Sequence, residues 1–194
     1  MYSVKSFLLI FMVMSVHFMA TGQKTDTPKK TPYKEQKAVP GMRVDTLDYS
    51  YLKFDTVYKF YRSKGIDLVQ ADNPDLLFEV YDWLNSPYCW GGRSKKGTDC
   101  AGFVNSMINK LYSKNFGGSA IDIFKKCDTV SPTDMHEGDL VFFNISGKYL
   151  SHVGIYLQNG RFAHAASHGG VIVSSLEDKY YKRWFYRAGR VKNE

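Results

Sequence analysis

The chain has 194 residues and a formal charge of +7, from 26 Lys plus Arg against 19 Asp plus Glu. That length fits one ordinary domain with extensions, and a hydrophobic share of 44% supplies a core and excludes a wholly disordered chain. Three cysteines are too few for a disulfide framework, they lack metal-finger spacing, and no repeat of solenoid or propeller period is visible.

Lys5 precedes an apolar run from Phe7 to Met19, and Ala20-Thr21-Gly22 places small residues where a signal peptidase reads. Residues 1–22 are therefore expected to be a secretory signal peptide. A retained anchor is the competing reading, but the run is shorter than the roughly 20 residues that span a bilayer. Residues 23–44 are expected to form a flexible basic linker, because Gln23 to Pro40 is rich in Lys, Thr and Pro. The expected location is secreted or periplasmic, with no stable membrane insertion once the signal is removed. Diffuse charge on an exported chain argues against a nucleic-acid partner, and a monomer is expected.

Residues 45–72 are expected to be an N-terminal helical extension. Leu47, Tyr51, Phe54, Tyr58 and Tyr61 recur at steps of four and three, predicting one helix face packed on the main domain, and Gly65 stops that helix. Asn73 as cap and Pro74 at the first helical position open a second helix, ended by Ser86-Pro87. After Cys100 the apolar residues Phe103, Val104, Met107, Ile108 and Leu111 predict a third, with Thr98 or Asp99 as its cap. The later half changes period. Residues 139–143, 152–157, 161–165, 171–174 and 184–190 read as strands, punctuated by glycines. Helices first and a run of short strands afterwards predict an α+β fold.

Cys100 falls in the first turn of its helix, where unpaired amides and the helix dipole favour a thiolate. A buried structural cysteine is the bland alternative. Two histidines on neighbouring strands, His152 and His164, turn the cysteine into a candidate nucleophile with base and orienter. Their side chains must share a sheet face. A two-residue Asn159-Gly160 turn points His164 away from His152. An odd loop, Gln158-Asn159-Gly160, pairs Leu157 with Arg161 and sets His164 opposite Gly154, diagonal to His152. The triad reading thus requires the odd loop. The same three side chains could instead hold zinc, although no carboxylates are evident to support both histidines.

Five segments, Tyr88-Cys89-Trp90-Gly91-Gly92, Asp99-Cys100-Ala101-Gly102-Phe103-Val104, Gly138-Asp139-Leu140-Val141-Phe142-Phe143, Ser151-His152-Val153-Gly154-Ile155-Tyr156 and Phe162-Ala163-His164-Ala165, follow one another. In order and spacing they resemble the NlpC-like cell-wall cysteine peptidases. The resemblance covers about residues 75–190, placing the catalytic domain at 73–194. It implies a papain-like core with the cysteine helix packed on an antiparallel sheet of about five strands. It also implies cleavage of amide bonds in peptidoglycan peptides, with Cys100 as nucleophile, His152 as base and His164 as orienter. Tyr88 would line the site near the oxyanion hole, and Asp99 and Ser151 would contact substrate, Asp99 by binding an amino group. No metal and no cofactor is implied. Ala101 stands where the family commonly has serine. Cys89 and Cys127 could pair in an oxidising compartment. A non-catalytic wall-binding protein on the same fold, or an amidase or acyltransferase using the same thiol, remain the alternative readings.

Overall fold

The computed structural model describes residues 49–192. The expected signal peptide, the linker and the start of the first helix, including Leu47, lie outside them. Among the described residues no helix is long and apolar enough to cross a membrane.

Helix α1 (Tyr49–Ser63) packs on α2 (Pro74–Trp83). It ends as Gly65 allows: Ile66 N donates to Tyr61 O at 3.0 Å and Gly65 N to Arg62 O at 3.1 Å, the paired bonds of a left-handed helix stop. The buried face differs from the expected one. Val57 and Tyr61 are fully buried, Tyr58 and Phe60 partly, whereas Phe54 is 42% exposed. Phe54 still meets Phe78 of α2, ring centroids 6.1 Å apart, but at the margin of the contact, while Val57 joins the buried core. Tyr61 still anchors it, its hydroxyl donating to Leu77 O at 2.6 Å within the core. In α2, Asn73 caps Leu76 N at 3.1 Å and Pro74 opens the helix, as the sequence predicts.

A two-stranded hairpin of β1 (Arg93–Ser94) and β2 (Gly97–Thr98) leads into α3 (Cys100–Tyr112). A short α4 (Ala120–Phe124) follows, then β3 (Cys127–Val130), β4 (Leu140–Phe143), β5 (His152–Tyr156), β6 (Arg161–Ala166), β7 (Gly170–Ser175), a short α5 (Lys179–Trp184) and β8 (Phe185–Val191). The larger sheet has six strands in the order β3-β8-β4-β5-β6-β7, all neighbours antiparallel. The expected five are present; β3 is the addition, an edge strand of four residues too short to show a period.

Each face of this sheet has its own core. Phe103, Val104, Met107 and Ile108 of α3 pack with Val153, Ile155, Ala163 and Ala165. On the other side Val141, Phe143 and Phe162 pack beneath Tyr181, Trp184 and Phe185, at α5 and the start of β8. Arg190 of β8 grips Asp139 before β4 with two bonds, Nε–Oδ1 2.8 Å and Nη2–Oδ2 2.7 Å. Asp139 is only 3% exposed, so the bidentate pair explains why a carboxylate is tolerated there.

The packing of α1 gives a stability test. Tyr61→Phe keeps the ring but removes the hydroxyl's bond to the Leu77 carbonyl, and is expected to lower unfolding free energy by about 1 kcal/mol. Urea denaturation followed by far-ultraviolet circular dichroism measures it.

Candidate active site

The site begins with how the loop before α3 is stitched. Cys89 N donates to Thr98 O at 2.9 Å, Thr98 N to Pro87 O at 3.0 Å and Asp99 N to Gly92 O at 3.3 Å. Asp99, not Thr98, is the cap of α3. Its Oδ1 accepts from Gly102 N at 2.7 Å and its Oδ2 from Gly91 N at 2.8 Å, tying the Tyr88–Gly92 loop to the helix start. These segments touch so closely that a Cβ on Gly102 would lie 2.0 Å from Gly92 O. The result is Tyr88 held beside the helix start: the charges of Cys100 and Asp99 add to burial in raising its phenol above the usual range.

The β5–β6 connection has the odd loop. Ile155 pairs with Ala163 and Tyr156 with Phe162, while Leu157 N donates to Arg161 O at 2.9 Å. Continued one residue past Ile155–Ala163, this register sets His164 opposite Gly154. The fit requires glycine, since a Cβ there would lie 2.7 Å from the Phe162 ring and 3.2 Å from His164 Cβ. His152 and His164 therefore share a face and meet, Nε2 to Nδ1, at 2.9 Å with the rings nearly perpendicular.

The same hairpin offers a donor to the sulfur. Tyr156 N donates to Asp139 O at 2.7 Å and Leu157 N to Arg161 O, so the amides of β5 alternate between β4 and β6. The β5–β6 register ends at Ile155–Ala163. The amide of Val153, next to His152, is thus released from the ladder and lies close enough to the Cys100 sulfur to favour its anion, as do the amides of Ala101 and Cys100. These amides favour a thiolate, as expected at a helix start. Burial of the half-buried cysteine outweighs them, and the thiol is pushed up to about 11. Burial also pushes His152 down to about 4 against the pull of Asp99, and His164 to about 3, with His152 adding to the effect. The resting site is consequently a neutral thiol and two neutral imidazoles, where helix-start electrostatics alone predicted a thiolate.

Tyr88, Ser151, His152 and His164 line a cleft of about 440 Å³, together with Ser146, Ser167, His168, Tyr180 and Tyr181. Ser151 Oγ accepts from Ser146 N at 3.2 Å and so also shapes the cleft wall. Sequence reading missed Ser174 and Tyr181. Both touch His164 Nε2, at 3.0 and 3.1 Å. The parity argument, repeated on the β6–β7 turn, finds Ser174; Tyr181 comes from a short helix with no sequence signal. With both nitrogens facing protein groups, His164 has no lone pair directed toward a shared metal position. Among the described residues no group of three or more His, Cys, Asp and Glu is arranged as a metal site. All three cysteines are free, so Cys89 and Cys127 do not pair. Cys127 instead bonds Ile123 O at 3.4 Å, and Cys89 is exposed in the aromatic loop.

A cysteine at a helix start, against an antiparallel sheet that carries a histidine pair, defines a papain-like thiol site. The chain belongs to the NlpC/P60 family, whose model matches residues 85–190, more than half of its length. It is 29% identical to the murein DD-endopeptidase MepS/murein LD-carboxypeptidase of Escherichia coli K12, over 92% of this chain and 89% of that protein. It is 32% identical to the probable endopeptidase NlpC of the same organism, over 58% and 74%. A solved NLP/P60-family structure from Staphylococcus aureus Mu50 is 29% identical with a TM-score of 0.55, over 61% of this chain and 41% of that one.

The buried imidazoles set a pH test. His164 in the fold titrates near 3, below the ordinary 6.5, so the unfolded chain takes up a proton that the fold refuses. Its share of stability is intact above pH 6.5 and is lost as pH falls from 6.5 toward 3, by up to about 1.4 kcal/mol per pH unit. Urea midpoints should drop between pH 7 and pH 5, and drop less steeply in His164→Gln.

Proposed function

We propose that this chain is an exported cysteine endopeptidase that hydrolyses amide bonds in peptidoglycan stem peptides or crosslinks. The observation that carries the reading is the 2.9 Å bond between His152 and His164 on the strand whose next amide reaches Cys100. The relatives, murein and peptidoglycan endopeptidases by name, supply the substrate class. In this reading residues 1–22 are the signal, 23–44 a tether, 45–72 a helical extension and 73–194 the catalytic part. The working place is the periplasm or the cell exterior.

His152 keeps its Nε2 proton on His164 Nδ1 and presents a bare Nδ1 to the thiol. As Cys100 Sγ attacks the scissile carbonyl carbon, its proton passes to His152 Nδ1. A concerted transfer suits a site in which burial disfavours a standing charge on either group. The carbonyl oxygen becomes an oxyanion held by the Cys100 amide and the Tyr88 hydroxyl. When the C–N bond breaks, the His152 proton goes to the leaving nitrogen. Water then gives a proton to His152 and its hydroxyl to the thioester carbonyl, releasing the acid and restoring the thiol. Asp99 uses one lone pair on each oxygen for the loop and helix amides, and the remaining ones accept from a substrate amino group. Ser151 donates its hydroxyl to the substrate backbone while accepting from Ser146. No cofactor enters these steps.

Purified protein lacking residues 1–22 is expected to release new fragments from defined muropeptides, identified by mass spectrometry. Cys100→Ala should lower turnover at least about 1,000-fold with an unchanged melting temperature. Fragments released equally by Cys100→Ala would overturn the mechanism. Wall binding by the unaltered protein without any fragment release would instead favour a non-catalytic binding role. The identities of the fragments separate endopeptidase from amidase or acyl-transfer chemistry.

A further inference from the structure

The histidine pair continues past His164. His164 pairs with Ile172 on β7, and alternation puts Ser174, two residues on, on the same face. His152, His164 and Ser174 thus make a diagonal row across three strands. Tyr181 arrives from α5 over that face, its ring edge-on to His164 at 5.2 Å, to Phe162 at 5.0 Å and to Phe143 at 5.6 Å.

The protons can be counted around this row. His152 needs a bare Nδ1 to receive the thiol proton, so its own proton sits on Nε2. His164 Nδ1, 2.9 Å away, must therefore be bare, and the His164 proton must sit on Nε2. His164 is 1% exposed, and a buried N–H without an acceptor is costly. The stacked Phe162 ring offers no lone pair for it. Ser174 Oγ and Tyr181 Oη are the acceptors in reach. Without them the proton is better placed on Nδ1, where it confronts the His152 Nε2–H.

We propose that Ser174 and Tyr181 are positioning residues that hold His164 in the tautomer accepting the His152 proton. They act through His164 and touch no reacting atom. The proposal rests on His152 being the base, as argued above.

Tyr181→Phe keeps the packed ring and removes one oxygen; Ser174→Ala likewise removes one oxygen. Ring nitrogens of ¹⁵N-histidine protein at pH 7.5 report the tautomers without any substrate. The unaltered protein should show His152 protonated on Nε2 and bare on Nδ1, and His164 likewise. Either variant should shift His164 toward the Nδ1–H form and mix the His152 tautomers, most strongly in the double variant. Turnover on the released muropeptide should fall about tenfold in each single variant, with KM within about twofold, and Ser174→Thr should restore it. Unchanged ring shifts and kcat in both single variants would overturn the proposal; should the double variant unfold, the single variants decide. A chain that cleaves no muropeptide refutes the proposed activity, while the ring shifts still decide the role of Ser174 and Tyr181.

Discussion

The register between β5 and β6 is the constraint on which the site depends. Side chains alternate along a strand, so a slip of one residue turns His164 to the opposite face and ends its contact with His152. The three-residue loop Gln158-Asn159-Gly160 sets that register, and the loop is itself held. Gln158 Oε1 accepts from Asp67 N at 2.9 Å, and its Nε2 donates to Glu137 Oε1 at 2.5 Å. Glu137 Oε2 accepts from Asn73 N at 2.9 Å, and Asn159 Nδ2 donates to Gly65 O at 2.8 Å. The connection between α1 and α2 is thus tied to the far end of the histidine hairpin. The segment joining α1 to α2 thereby helps fix the hairpin that carries His152 and His164.

Where that ladder ends, chemistry begins. Freed from β6, the Val153 amide lies near enough to Cys100 to favour its anion, next along the strand to His152. Two physical effects compete at that sulfur. Amides at a helix start favour the anion, and burial favours the neutral thiol; here burial is the larger. The same desolvation keeps both imidazoles neutral. A site built this way does not store a charge pair while empty. In the proposed mechanism charge arises only as the thiol proton moves.

Much of this was legible in the sequence because local rules agree with the fold there. Asn73-Pro74 opens α2 where capping chemistry says, and the apolar period after Cys100 gives the face of α3 that meets β5 and β6. Parity gave the condition for the histidine pairing, an odd loop between β5 and β6, and the structure has that loop. Other features needed packing to decide them. How deeply each residue of α1 is buried is set by packing, so Val57 is enclosed while Phe54, on the predicted face, stays partly open. The strand Cys127–Val130 and the helix Lys179–Trp184 are too short for a period to emerge. Spacing offers Thr98 or Asp99 as the cap of α3, and the bond of the second Asp99 oxygen to Gly91 depends on a loop fold invisible to spacing. The balance between amides and burial at Cys100 likewise depends on how deeply three dimensions enclose it.

The most direct test of the account is whether the His152 ring serves the Cys100 sulfur. Iodoacetamide labelling at pH 7, quantified by mass spectrometry on the peptide that contains Cys100, measures this without a substrate. Relative to the unaltered protein, His152→Ala should label Cys100 about a hundredfold more slowly, because the base that accepts the thiol proton is gone. Equal labelling rates at Cys100 in the two proteins would contradict the account.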